Sequence, residues 1–250
     1  MSEGSTMGLL AASLSGRSDA QWARTAAPYV DGALLGGVAI DAKARAAARE
    51  SIEDRNRNEF LPSDPVAFID QQLEQLADVP PYPGVNVRTT TIEPLQNVAD
   101  VCADHDAILE VNAHCRQREL CAAGCGEVLL ADTERLTTFV ESAAVTDAAV
   151  SVKVRAEVPD VDLVETAKGV EAAGAEMIHI DAMDSETVVS DVAAETDLFV
   201  VANNGVRGRE TVREYFDYGA DAVSVGRPST IPRVLQRVRN AVDEWGSEQE

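Results

Sequence analysis

Eight short apolar runs recur along this chain, and longer segments with helical spacing separate them. The runs are GLLAASL (8–14), GALLGGVAI (32–40), VNVRTTT (85–91), AILEVNA (107–113), AVSVKVR (149–155), MIHIDA (177–182), LFVVANN (198–204) and AVSVGR (222–227). Each is rich in Val, Ile or Leu, the signature of parallel strands buried on both faces. Helical start and stop signals lie between them. Asp132 opens TERLTTFVESAAV, Asp160 opens VDLVETAKGVEAAG and Asp184 opens SETVVSDVAAE, while Gly208 precedes RETVREYFDYG with Gly219 placed to end it. Eight β-then-α units without a long structureless gap predict an α/β fold, a single-domain (β/α)8 TIM barrel over residues 1–250. An open doubly wound sheet needs fewer strands.

Residues 43–84 are the irregular part, with two helical stretches and the connector VPPYPG, read as helix two plus an insertion. A last helix over 231–245 is expected to end the fold, with GSEQE frayed behind it. Aromatics make up only 4% of the chain, so its core must be built from Ala, Val, Leu and Ile. The 43 acidic residues outnumber the 21 basic ones, for a net charge of −22. Such a chain repels nucleic acid and acidic membranes unless basic residues cluster locally or salt screens the field. The excess fits a protein adapted to concentrated salt, or an ordinary acidic cytosolic one. No run approaches ~20 apolar residues, and MSEGSTMGLL lacks a secretory pattern, so a cytoplasmic protein with no membrane span is expected.

In this fold the polar residues at strand C-termini form the active site. That rule selects Ser13, Ser15 and Gly16 on strand one, then Asn112, His114 and Cys115 on strand four. It also selects Lys153 and Arg155, Asp181, Asn203, Asn204 and Gly205, and finally Gly226 and Arg227. Lys153 alternates with Val152 and Val154, so it faces the barrel interior or its mouth. There it meets an electron-rich ligand, or pairs with an inward carboxylate such as Glu110 or Asp181. Gly205 and Gly226 allow backbone amides to approach a phosphate that Arg227 could also touch, or are simply turns. Cys115 is either an inert core thiol or a general acid, since a thiol stays largely protonated at neutral pH. His114, Cys115, Cys121 and Cys125 are spaced HC-x5-C-x3-C, which matches no common zinc pattern, and no metal is expected.

Several of these segments resemble the tRNA dihydrouridine synthases, in order along nearly the whole barrel. The family's N-x-G-C-P, G-x-G and Leu-Leu appear as Asn112-Ala113-His114-Cys115-Arg116, Gly124-Cys125-Gly126 and Leu129-Leu130. Its V-K-x-R is Val152 to Arg155, its V-x-A-N is Val200 to Asn203, and its G-A-D-x-V-x-x-G-R is Gly219 to Arg227. ASLSGRSD (12–19) resembles A-P-M-x-G-x-T-D. The resemblance is to a divergent, acidic, barrel-only member like the archaeal ones. It implies FMN across the strand tips. Ser13, Asn112 and Lys153 would line the flavin, and Asn203, Gly205, Gly226 and Arg227 would take its phosphate. Cys115 would give a proton to C5 of uracil while reduced flavin gives hydride to C6, with NADPH or NADH as reductant. Lys153 and Asp181 would join Cys115 in catalysis, and Asn112, Arg116 and Arg155 would bind substrate.

The sequence also departs from the family. His114 and Arg116 replace the glycine and proline beside the cysteine, Glu119 replaces a lysine, and Asp181 stands where the strand-six V-H-G-R carries histidine. The family's C-terminal helical domain is expected to be absent. The leading expectation is uridine reduction in tRNA, with Arg116, Arg118 and Arg155 as basic residues at the mouth. The alternatives are a flavin enzyme acting on a free pyrimidine, as dihydroorotate dehydrogenases do, and an FMN-binding barrel without catalysis.

Overall fold

The computed structural model describes residues 7–249; the opening MSEGST and Glu250 lie outside the described residues. Eight parallel strands close into one barrel in sequence order. They are β1 (Leu9–Ala11), β2 (Gly32–Ala39), β3 (Tyr82–Arg88), β4 (Ile108–Asn112), β5 (Ala149–Arg155), β6 (Met177–Asp181), β7 (Phe199–Asn203) and β8 (Ala222–Val225). The eight apolar runs are these strands, and β8 pairs with β1 to close the ring. The strand expected at 85–91 begins earlier, at Tyr82, and ends at Arg88, because Thr91 already starts the next helix.

Among the described residues, eleven helices accompany the strands: α1 (Ala20–Ala26), α2 (Ala42–Arg55), α3 (Pro65–Glu74), α4 (Ile92–Asp104), α5 (Arg118–Ala123), α6 (Glu127–Ala131), α7 (Thr133–Ala144), α8 (Leu163–Ala172), α9 (Val188–Glu195), α10 (Arg209–Asp217) and α11 (Pro232–Gln249). A 3-10 turn, Arg227–Thr230, precedes the last. Aspartates cap many of the starts. Asp41 and Asp64 each accept two backbone N–H groups, and Asp132 accepts one from Arg135. Three expected boundaries move. Asp162, not Asp160, caps α8, since Asp160 sits in a left-handed turn just before it. The segment after Asp184 stays in turns until Val188, because Asp184 N–H and the Ser185 hydroxyl are held by Glu157. The segment expected to fray after Trp245 remains helical to Gln249: Trp245 stacks on Phe216 at 5.6 Å, and Glu248 binds Arg209 and Arg213.

The main core lies between the sheet and the helices, with Val, Leu, Ile and Ala from both layers. Inside the barrel, Met7, Leu10, Leu34, Ile108, Met177, Val201 and Ala222 form an apolar floor at the strand N-termini. Above that floor the interior becomes polar. Asn86, Glu110, Asn112, Ser151, Lys153, His179 and Ser224 are all buried. Barrel interiors are ordinarily filled with branched apolar side chains, so this layer costs stability and points to function.

Candidate active site

The polar layer leads up to a cavity of about 630 Å³ at the C-terminal mouth. Its lining includes Ser13, Ser15, Arg17, Asn56, Arg57, Asn58, Arg88, His114, Cys115, Arg116, Gln117, Arg155, Asp181, Arg227 and Thr230. The volume lies within the range of cofactor sites. Six of the lining residues are arginines and one, Asp181, is an acid. A chain of net charge −22 thus places six of its 21 basic residues at one opening, which attracts anions locally against the field of the whole molecule.

The strand-four turn places Cys115. Its N–H donates to Asn112 Oδ1 at 3.1 Å, and its carbonyl accepts Glu127 N–H at 3.0 Å and Cys121 Sγ at 3.3 Å. Gly126 makes that closure possible. Its φ is +66°, and a Cβ there would lie 2.1 Å from the Cys115 carbonyl oxygen. The thiol is 7% exposed and faces the cavity. Beside it, His114 Nε2 lies 3.9 Å from Asp181 Oδ2. Burial, followed by the nearby Lys153 cation, holds the His114 imidazole well below its usual range.

Lys153 pairs in register with Asn112 and lies one inward step below Arg155. Among the described residues its side chain makes no hydrogen bond or ion pair, although it is only 3% exposed. Neither expected carboxylate neutralises it by contact. Glu110 is taken by His179, whose Nδ1 lies 2.6 Å from Glu110 Oε2, and Asp181 faces His114. Burial lowers the Lys153 pKa from its ordinary value, and the fields of Glu110 and Asp181 oppose that shift.

Of the predicted residues, Ser13, Cys115, Arg116, Arg155, Asp181 and Arg227 meet around the cavity. Asn112 and Lys153 lie in the buried layer beneath it. Asn203, Gly205 and Gly226 stand at the tips of β7 and β8 but outside its lining. Arg155 is bound to Glu127 at 2.7 Å. Arg118 also stays outside the cavity, 3.7 Å from Asp54 and 3.2 Å from Glu119. Sequence reading missed Arg17, Arg57, Asn58, Arg88 and Gln117 on the walls, and His179 below. A signal for two of them was present: Arg88 and His179 fall on the same strand parity as Asn86 and Asp181. Among the described residues no group of three or more His, Cys, Asp or Glu could hold a metal, and the four cysteines are free. No helix among them is long and apolar enough to cross a membrane.

The fold and the site define a (β/α)8 barrel with a basic, thiol-bearing pocket at its C-terminal mouth. Residues 84–249 match the sequence profile of the dihydrouridine synthases (Dus), and the chain belongs to that family. An uncharacterized protein of Methanocaldococcus jannaschii is 26% identical over 205 residues, covering 77% of this chain and 78% of that one. Among solved structures, FabK from Thermotoga maritima aligns with a TM-score of 0.59 at 13% identity, over 88% of this chain and 58% of its own. Thiamine phosphate pyrophosphorylase from Pyrococcus furiosus aligns with a TM-score of 0.57 at 12% identity, over 96% of both. These two share the barrel fold.

Proposed function

We propose that this chain binds FMN across the mouth of its barrel and reduces the C5–C6 bond of a uridine in tRNA to 5,6-dihydrouridine. The observation that carries this reading is Cys115 on the cavity wall together with Lys153 in the buried layer, which makes no hydrogen bond or ion pair among the described residues. A buried ammonium with unused donors requires an anionic or electron-rich ligand, and the pyrimidine edge of a flavin is one. The residues therefore fit the cofactor.

When bound and reduced, with NADPH or NADH as the source of electrons, FMN would supply the hydride chemistry at C6 of the uracil. Cys115 holds at Sγ the proton that goes to C5, so one hydride and one proton account for the added atoms. Lys153 stabilises negative charge at the flavin's pyrimidine edge. Ser13 and Asn112 would border the flavin, and Asn203 with the amides of Gly205 and Gly226 and with Arg227 would receive its phosphate. Asp181 and the neutral His114 form a polar wall that orients the uracil, and Asn112, Arg116 and Arg155 contact the substrate.

The test is a visible spectrum of the purified protein in high salt, taken with FMN and then with NADPH under anaerobic conditions. Flavin bands that bleach and return on adding unmodified tRNA are expected. Return only with a free pyrimidine would move the substrate to the small-molecule class, and a protein that refuses FMN would remove the cofactor.

The ion pairing at the mouth supports a particular set of arginines as the RNA-facing ones. Arg88 and Arg155 are engaged by Glu59 and Glu127, whereas Arg17, Arg57, Arg116 and Arg227 have no acidic partner among the described residues. Changing Arg57→Glu together with Arg116→Glu is expected to weaken tRNA binding about tenfold or more at low salt. The logarithmic salt dependence should become shallower by about 1.4, from two lost phosphate contacts on single-stranded RNA. Unchanged affinity and slope in a filter-binding series would place the RNA face elsewhere.

A further inference from the structure

The buried polar layer contains a hydrogen-bond pattern with one polarity throughout. On one side, Cys115 N–H donates to Asn112 Oδ1, Asn112 Nδ2 donates to Asn86 Oδ1 at 2.8 Å, and Asn86 Nδ2 donates to Glu110 Oε1 at 2.7 Å. On the other side, Asn203 Nδ2 lies 2.7 Å from Ser224 Oγ and 3.2 Å from the Ser224 carbonyl, so it donates to both. Ser224 Oγ lies 2.7 Å from His179 Nε2, and His179 Nδ1 lies 2.6 Å from Glu110 Oε2.

The ends of this arrangement fix its direction. Backbone N–H groups can only donate, so Asn112 must turn its oxygen to the Cys115 turn and its nitrogen to Asn86. A backbone carbonyl can only accept, so Asn203 must turn its nitrogen to Ser224. His179 Nε2 is then the one acceptor that the Ser224 hydroxyl has among the described residues, and a proton given to it leaves the imidazole proton on Nδ1, facing Glu110. Both chains arrive at Glu110 as donors. A carboxylate is the one side chain of this shape that accepts on both oxygens and donates from neither.

We propose that Glu110 is a positioning residue: as the common acceptor of two converging hydrogen-bond chains whose direction the backbone fixes at their far ends, it holds Asn86 and His179 in place and through them steadies Asn112 under the Cys115 turn and Asn203 at the tip of β7. Neither Glu110 nor His179 touches the cavity, since both are fully buried and absent from its lining. They act through the two asparagines, and aligned chains of this kind reinforce one another. The charges support the same polarity. Although burial alone would raise it, Glu110 lies below its ordinary pKa through its contact with His179, the field of Lys153 and the hydrogen bond from Asn86. His179 is lowered by burial and by Lys153, against the pull of Glu110 and Asp181. These directions agree with a carboxylate accepting from a neutral imidazole in the field of Lys153. That the asparagines serve a flavin rests on the function proposed above; the polarity of the chains does not.

The chain has three histidines, at 105, 114 and 179, so ¹⁵N-histidine NMR can follow His179 directly, with His179→Asn assigning its signals. In the cofactor-free protein, the Nδ1–H tautomer is expected at His179. In Glu110→Gln the side chain must satisfy Asn86 with its oxygen, so its NH₂ faces His179 Nδ1. The imidazole must then move its proton to Nε2, and two donors converge on Ser224 Oγ. We expect that tautomer switch, an unchanged far-ultraviolet spectrum, and FMN affinity weakened about tenfold or more by the mispresented Asn203. Ser224→Ala, should Glu110→Gln fail to fold, is expected to keep the Nδ1–H tautomer and to weaken FMN similarly, by leaving Asn203 only its longer 3.2 Å bond to the carbonyl of residue 224. An Nε2–H tautomer or an imidazolium in the unaltered protein would overturn the polarity. A tautomer switch with FMN affinity intact would overturn the positioning role. Loss of FMN binding in the unaltered protein would remove the flavin reading, while the tautomer result would still decide the polarity of the chains.

Discussion

Replacing Cys115 with alanine should leave FMN bound and slow uridine reduction by about 10²–10⁴-fold, the span attributed to a positioned general acid. The backbone explains why binding survives. The turn is held by the Cys115 N–H on Asn112 and by its carbonyl beneath Glu127 N–H, and neither contact uses the thiol. Only the Sγ atom is removed from a cluster with Ala44, Ala48 and Leu120, so the loss of packing is small. Serine at the same position should rescue little, because a hydroxyl holds its proton far more tightly than a thiol. Anaerobic single-turnover oxidation of the pre-reduced flavin by unmodified tRNA isolates the chemical step, and flavin fluorescence reports binding separately. A single-turnover rate within twofold of the original would take Cys115 out of the mechanism and leave it as a core thiol.

The difference between what the sequence revealed and what it concealed follows the range of the interactions. Strands were legible because buried parallel strands are continuous apolar runs, and β5 and β6 began where the runs began. Cys115 and Asp181 were legible at the mouth because strand-end position decides which residues reach it, whereas strand alternation turned Lys153 inward, to the layer beneath. Helix starts were less so: Asp160 and Asp162 are equally good caps on paper, and only the left-handed turn at Asp160 separates them. The fate of Lys153 was open for a deeper reason. Periodicity turned it inward along with Glu110, but whether they would touch depended on a third inward residue, His179, which took Glu110 first. The wall made by Arg57, Asn58 and Glu59 was not legible at all. It belongs to the connection between α2 and α3, whose course is set by contacts with β3 and the β4 turn, and no local pattern encodes it.

That wall yields the largest stability effect expected in the molecule. Glu59 is buried to 1% side-chain exposure and joins three elements. Its Oε2 accepts from Arg88 Nη1 at 2.6 Å, and its Oε1 accepts from Gln117 Nε2 at 2.9 Å. Gln117 is held in turn by the Ser51 hydroxyl at 3.1 Å. Gly16 presses against the same segment so closely that a Cβ would lie 2.5 Å from the Asn58 carbonyl carbon, and its φ of +64° already suits glycine. Glu59→Ala removes one partner of a buried ion pair and leaves the Arg88 guanidinium, 3% exposed, with Ser15 as its remaining side-chain partner. Such a change costs about 3–5 kcal/mol, or a fall in Tm of roughly 10 °C for a chain of this size. Removing both charges with Glu59→Leu and Arg88→Met should be milder than Glu59→Ala alone, because desolvation then falls on neither group. Function should not follow stability in that double variant. Arg88 lines the cavity, so ligand affinity should stay low while Tm recovers. If the double variant melted as low as the sum of its single changes, the clasp would be a packing element rather than an ion pair. The connection would then be held by Gly16 and the aromatic contact of Phe60 with Phe68, whose centroids are 5.4 Å apart.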